Sequence, residues 1–505
     1  MKVALAQLPF WPTYMPPLGL AYITAVLRRR GYEVAVKDLN LECWTRVKKN
    51  HANPWDGFLL DKASNLKYFK ETLMPVVQTD LTIYAKKIAF SDFDAAGFTV
   101  NELNVHSTRF VVQLIKKMNP DIKIFIGGPE VYSEQNKLLE DVYSGVVDAA
   151  VIGEGEEIVD ELFECWEKNT PIDQIIGLVT NNKNTNYEKA KKRPPIDFSK
   201  LPLPDFSDFY LDKYMHKQIP IMMSRGCVAA CTFCTEFVTW RSYRVRTAKN
   251  VFDEMVSIAK ETGINSFYFC DSLINGNHEM LSELVNLILE NEFECDWVAF
   301  CRADDRLTKE LLTRMKRSGC NELFFGFESG SNKILKLMNK NNSVETANRV
   351  IADTASSGIK VHGLFIIAFP GETEEDFYQT KKFIYDNRKD LFKVTIGGTL
   401  QLPPIAPMSQ RPKAFDIKLN NDGSVFFDDN GKWYSKDGKF TPEVRANRLK
   451  DMQNFLEAIK VSWDPVPFER TQLSGFKKLT TKLQEKYQLR IFKKEEKIYS
   501  SNFSR

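Results

Sequence analysis

Apolar positions come in short runs separated by stretches of helical periodicity. Residues 2–7 form the first run, and 18–31 repeat apolar side chains on one helical face. Arg28, Arg29 and Arg30 before Gly31 supply the charge and the cap that suit a helix C-terminus. Further strands are expected at 33–39, 87–91, 122–126 and 149–152, with helices after Glu102 and Glu130. Strands joined by crossover helices predict a doubly wound, Rossmann-like parallel sheet. Ligands of such sheets collect at the carboxyl ends of the strands. That points to residues 8–17, Asp38 with its two successors, Ser91 to Gly97, the Gly127-Gly128-Pro129 step, and Gly153-Glu154-Gly155. Each glycine pair alone could simply turn the chain; several at one edge read as a site.

A second alternation follows. Strands are expected at 219–224, 266–270, 297–301, 322–327, 361–367 and 393–400, and helices from near Ala248, His278, Thr308, Ser331, Val344 and Thr373. Thr373-Glu374-Glu375-Asp376 puts negative charge where a helix N-terminus favours it. Six such units predict a partial (β/α)6 barrel, TIM-like, with its mouth at the strand carboxyl ends. Residues 166–205 are polar and proline-broken, a linker. After Pro412 the pattern dissolves into short strands at 423–427 and 432–434, then helices: a small α+β domain. The expected division is 1–165 sheet domain, 166–205 linker, 206–410 barrel and 411–505 C-terminal domain, all of them α/β in class apart from the last.

Charge changes this picture little. The 505 residues carry 69 basic and 66 acidic side chains, net +3, so nothing selects nucleic acid or an anionic membrane as partner. No apolar run approaches the roughly 18 residues of a membrane span, and the start leads into a strand instead of a signal peptide, so a cytoplasmic protein is expected. Nine cysteines without a secretion signal argue against a disulfide framework.

Three of them are clustered. Cys227-Val228-Ala229-Ala230-Cys231-Thr232-Phe233-Cys234 has C-x3-C-x2-C spacing in the loop after the first barrel strand. Three thiolates at close quarters need a cation. Zinc usually takes four ligands, and no fourth Cys or His lies nearby in sequence. A [4Fe–4S] cube held by three cysteines leaves one iron open for substrate or cofactor. Arg302 closes the third barrel strand, where a guanidinium could grip a carboxylate with two hydrogen bonds or be spent in a structural ion pair. Cys270 and Cys301 are expected at strand ends facing the same site.

With its spacing and the aromatic Phe233 before the last cysteine, this segment resembles the radical SAM enzymes. The resemblance implies that Cys227, Cys231 and Cys234 hold the cluster, whose open iron takes the amino and carboxylate groups of S-adenosylmethionine (SAM). One electron then yields methionine and a 5′-deoxyadenosyl radical. It also implies SAM contacts at Phe233, at Asp271 and Ser272 after the second barrel strand, at Arg302, at Glu328 and Ser329 in Gly326-Phe327-Glu328-Ser329-Gly330, and at Pro370 in the segment 363–373, whose strand lies against adenine. Asp271 and Ser272 depart from the family's usual Gly-Gly-Glu form.

The first domain is similar to the cobalamin-binding domain of one branch of that family. Asp38, Ser91, Gly127, Gly128, Pro129, Gly153 and Glu154 are the implied cobalamin contacts. The loop 8–17 departs from the branch's Asp-x-His-x-x-Gly signature in having no histidine, and His51 and His106 are expected at the surface.

The implied activity is methylation of an unactivated carbon or phosphorus centre in a small-molecule, lipid or peptide substrate, with an electron donor such as a flavodoxin or ferredoxin. Cyclisation, ring contraction or coupling without methyl transfer is the alternative within the class, and a non-catalytic cobalamin or redox sensor the alternative outside it. No catalytic residue is named. The aromatics after 410, Trp433 among them, either wall the barrel mouth or pack a small domain.

Overall fold

The computed structural model describes residues 1–47, 53–55, 60–132, 138–182, 185–400, 402–403, 405–427, 432–465 and 481–500. The chain divides into two compact units: Met1–Ile221 with Glu254–Ser266, and Met222–Asp253 with Phe267–Arg505.

In the first unit, β1 (Lys2–Gln7), β2 (Glu33–Asp38), β3 (Ala95–Thr99), β4 (Lys123–Gly127), β5 (Ala149–Val151) and β6 (Leu178–Val179) form one sheet in the order β2-β1-β3-β4-β5-β6. All pairs are parallel except β5 with β6. The chain leaves β1 for β2 on one side and returns to β3 on the other, so the topological switch point lies between the carboxyl ends of β1 and β3. Helix Leu18–Arg29 ends as its three arginines predict, and Arg28 reaches Asp205 and Asp208 at 2.7 and 2.8 Å.

The third strand differs from expectation. Residues 87–91 fall on the end of helix Met74–Ala89, where Val77, Leu81, Tyr84, Ala85 and Ile88 recur on its buried face. The strand is Ala95–Thr99, whose small residues give a weak strand signal. Gly97 is there because a Cβ would stand 2.2 Å from the Phe125 ring. Ser91 therefore precedes β3 at the amino edge of the sheet, away from the ligand edge. His106 is also corrected: it is buried on helix Val105–Met118, its Nε2–H donating to the Ser64 carbonyl at 2.9 Å, against the Phe69 ring. His51 lies outside the described residues.

After β7 (Ile219–Ile221), which closes the first long segment, come β8 (Ser224–Arg225) and β9 (Arg244–Val245), an antiparallel pair. Then β10 (Ser266–Phe269), β11 (Asp296–Cys301), β12 (Cys320–Glu328), β13 (Lys360–Ile367) and β14 (Leu391–Thr399) lie side by side in chain order, an open series and not a closed barrel. The pairs from β11 onward are parallel. The intervening helices are His278–Glu290, Lys309–Arg317, Asn332–Leu337, Val344–Ser356 and Glu374–Asp386, and Thr373 begins the last with a capping box.

Beyond Pro412 the expected short strands are isolated bridges, Leu419 with Val425 and Phe427 with Trp433. A strand the pattern did not announce, β15 (Trp463–Pro465), extends the sheet in parallel beside β14. Three residues ending in proline carry too little alternation to be read. Helices Pro442–Ala458 and Thr481–Ser500 follow. Among the described residues no helix is long and apolar enough to cross a membrane.

Candidate functional site

The cysteine loop is built from its base upward. The pair β8–β9 pinches both ends together, and Gly226 has φ +84° because a Cβ would meet the Ser242 carbonyl oxygen at 2.4 Å. Asp271, just past β10, locks the entry: its carboxylate accepts the Met223 N–H at 3.0 Å and the Ser224 N–H and hydroxyl at 2.5 Å. Burial pushes its pKa up to about 6. With both oxygens engaged this way, Asp271 orients the loop instead of facing a ligand. Ser272 donates to Glu236 Oε2, which also accepts the Trp240 indole N–H, and so ties β10 to the helix after Cys234. Asp271 and Ser272, the expected SAM contacts, are thus both tied into the polar network that braces the cysteine loop.

Cys231 is buried, and Cys227 and Cys234 are half-buried. Burial raises the Cys234 pKa to about 11, and the charges of Cys231 and Cys227 add to the rise. Cys231 is raised by burial, while the Lys340 and Arg302 cations pull it back down. Among the described residues no three His, Cys, Asp or Glu side chains stand grouped as metal ligands. Three soft thiol donors in one braced loop, with two cations beside them, suit an anionic iron–sulfur cluster better than a zinc ion.

The cations come from neighbouring strand ends. Arg302 follows β11, its backbone clasped on both sides by the Asn275 amide at 3.0 Å. Its half-buried guanidinium has no hydrogen-bond or ion-pair partner among the described residues, so the ion-pair alternative is not realised there. Glu328 closes β12 at φ +67°, a left-handed conformation that a glutamate adopts only when its surroundings impose it. Its carboxylate meets Lys340 Nζ at 2.7 Å, both side chains nearly buried. Burial works to lower the Lys340 pKa, but the charges of Glu328 and Cys231 outweigh it and hold the ammonium form. Gly326 leaves the room: a Cβ there would stand 2.5 Å from Glu328 Oε1 and 2.8 Å from Lys340 Nζ. Lys340 rides a turn flanked by Asn339 and Asn341, both left-handed, and lies 6.0 Å from the Phe233 ring.

Ser329 is turned elsewhere. Its hydroxyl pairs with Thr380 Oγ1 at 3.1 Å and accepts the Ser331 N–H, and a Cβ at Gly330 would strike the Gln379 carbonyl at 2.5 Å. The Ser-Gly step therefore serves the close approach of helix Glu374–Asp386. Pro370 is buried in the turn after β13, between Ala368 at φ +66° and Gly371 at φ +85°. Gly363 is a packing glycine whose Cβ would meet Phe365 at 2.9 Å.

Strand alternation sorts the rest. Tyr268, Phe300, Phe324 and His362 form a row across β10–β13 at centroid spacings of 6.2, 5.2 and 4.8 Å, on the face that carries Arg302. His362 joins Glu322 at 2.8 Å and Thr395 at 2.7 Å. Cys301 is buried on the opposite face with Trp297 and Ala299, so it does not face the site.

At the carboxyl edge of the first sheet the chain is mostly self-satisfied. Asp38 accepts the Tyr214 hydroxyl at 2.6 Å and caps helix Leu39–Val47 through the Leu41 N–H, with its pKa pushed up to about 6 by burial. Gly127 ends β4, and Gly128 and Pro129 follow it. Gly128 has φ +117°, with a Cβ position 2.5 Å from the Val100 carbonyl oxygen. Gly153 (φ +98°) and Glu154 follow β5, and Glu154 Oε2 accepts the Ile196 N–H. Glu130 is raised to about 7 by burial and by the charge of Glu102.

Lys340, Glu236, Glu372 and Arg448 are the participants that sequence reading missed. Only the Asn-Lys-Asn turn signal could have pointed to the first.

Two family descriptions match the chain: a B12 binding domain over residues 68–163 and the radical SAM superfamily over residues 221–384. A curated relative, an uncharacterized methyltransferase from Pyrococcus horikoshii, is 28% identical over 76% of this chain and 76% of its own length. Cytidylyl-2-hydroxyethylphosphonate methyltransferase from Streptomyces wedmorensis is 27% identical over 70% of this chain and 69% of its own. Among solved structures, the radical SAM methyltransferase TsrM from Kitasatospora setae, with cobalamin and a [4Fe–4S] cluster bound, superposes with TM-score 0.63 at 18% identity, covering 86% of each chain. That likeness shows the shared fold.

Proposed function

The chain belongs to the radical SAM superfamily, in the branch that carries a B12-binding domain, and from that premise we propose that it methylates an unactivated carbon or phosphorus centre of a small-molecule, lipid or peptide substrate. It is an enzyme whose cofactors are a [4Fe–4S] cluster, SAM and cobalamin. When bound, these supply a 5′-deoxyadenosyl radical by one-electron cleavage of the sulfonium, and a methyl group carried on cobalt.

In this reading Cys227, Cys231 and Cys234 are the cluster ligands, in a loop that Asp271 and Gly226 hold in shape. The free guanidinium of Arg302 takes the SAM carboxylate, and the turn at Pro370 lies against the nucleoside. Glu328 and Lys340 fix the charge beside Cys231, and Phe233 shields it from solvent. Gly127, Gly128, Pro129, Gly153 and Glu154 leave room for cobalamin at the sheet's carboxyl edge, with Asp38 shaping the β2 end. A donor such as a flavodoxin or ferredoxin supplies the electron, in the cytoplasm. Residues 1–165, 206–410 and 411–505 act as cobalamin, radical and C-terminal domains.

The observation that carries this reading is a three-thiol loop beside an arginine that has no ion-pair partner among the described residues, in a chain that also matches a B12-binding domain. Anaerobically reconstituted protein should hold about four irons per chain, and Cys231→Ala should lose nearly all of them. Turnover should release S-adenosylhomocysteine together with 5′-deoxyadenosine. Formation of 5′-deoxyadenosine alone would replace methyl transfer with cyclisation or rearrangement, and one zinc per chain would end the radical reading.

A further inference from the structure

The turn after β13 is held by a residue far along the chain. Ala368 adopts φ +66° without being glycine, and its N–H donates to Glu372 Oε2 at 3.1 Å. That carboxylate has no solvent exposure. Arg448, on helix Pro442–Ala458, donates to the same Glu372 oxygen at 3.0 Å and to the Glu372 carbonyl at 2.9 Å, and its other nitrogen pairs with Glu374. Its guanidinium lies 5.0 Å from the Phe440 ring. The same C-terminal region reaches the cysteine loop through the end of the barrel segment: Trp433 shares a core with Phe369, against which Phe233 packs, and with Met408, whose N–H donates to the Thr232 carbonyl at 2.7 Å.

We propose that Arg448 is a positioning residue for SAM: through Glu372 it fixes the left-handed backbone at Ala368, and with it the Pro370 turn that meets the nucleoside. This rests on the radical SAM reading of that turn. A left-handed alanine persists only where its surroundings over-determine it. Removing the guanidinium leaves Glu372 as a buried carboxylate without its cation, which turns toward water and releases the Ala368 N–H. The C-terminal region is then part of the radical site's framework, and the alternative of a packing domain separate from the chemistry is set aside.

The test uses full-length, anaerobically reconstituted protein and SAM as the probe. Arg448→Met should keep its iron and its reduced-cluster EPR signal, while the SAM concentration that half-converts that signal rises roughly tenfold, the usual scale for losing an outer partner. KM for SAM should rise alike, with kcat for 5′-deoxyadenosine within about twofold. Arg448→Lys should recover most of the affinity. Should Arg448→Met misfold, the double variant Arg448→Met/Glu372→Leu leaves neither a buried charge nor an acceptor for the Ala368 N–H, and is expected to hold full iron with the same loss of SAM affinity. Wild-type SAM affinity in either folded variant overturns the proposal. Absence of iron and of 5′-deoxyadenosine in the wild type would instead refute the radical reading.

Discussion

The two sheets present their carboxyl edges in opposite ways. At the first, the positions with positive φ are glycines, Gly128 and Gly153, and Asp38 is paired with Tyr214 and Leu41 and Glu154 with Ile196. At the second, the left-handed positions that carry a side chain at the ends of β12 and β13 are Glu328 and Ala368, held there by Lys340 and Glu372, and Arg302 has no ion-pair partner among the described residues. Glycine suffices where a ligand or a crossing backbone needs only room. A side chain forced into the same conformation signals that its own chemistry is being aimed.

The sharpest way to break this contrast is to remove Lys340. Lys340→Met strands Glu328 as a buried charge, which costs about 3–5 kcal/mol, and chemical denaturation should show that loss with Lys340→Arg recovering part of it. Next in size, Gly128→Ala puts a Cβ 2.5 Å from the Val100 carbonyl at φ +117°. Unfolding should become easier by roughly 1–3 kcal/mol, with cysteine-bound iron unchanged if the first edge acts only by shape.

A pH series separates the edges more finely. Asp38 and Asp271 rise to about 6 and Glu372 to about 7 when folded, above their ordinary values near 4. The folded chain therefore keeps protons that the unfolded chain has released. Stability from these groups is fully present below about pH 4 and is lost as pH climbs through 6 to 7. Thermal midpoints should fall over that window, and Asp38→Asn should flatten the slope without altering SAM binding. The smallest stability effect is expected at Arg302: with no partner to strand, Arg302→Ala should change unfolding by less than about 0.5 kcal/mol while SAM affinity falls at least tenfold.

Much of this architecture was legible because its signals are local. The barrel strands announce themselves by length and alternation, and the cysteine loop by three residues within eight positions. β3 escapes the pattern because Gly97 makes room for Phe125, and Ala95, Ala96 and Gly97 carry little strand propensity of their own. Within the site, Arg302 needed only its place at a strand end. Asp271 was assigned to a ligand because sequence cannot show that Met223 and Ser224 turn their N–H groups toward it. Arg448 lies 76 residues from the carboxylate it serves, and no periodicity links them.

Gly326 gives the ion pair beside Cys231 an unusual vulnerability. Its Cβ position lies within 3 Å of both the Glu328 carboxylate and the Lys340 ammonium. Gly326→Ala would leave the formal charge of the protein untouched, yet one methyl group would push the two charges apart. A purely steric edit would then be read by the nearby sulfur as an electrostatic one.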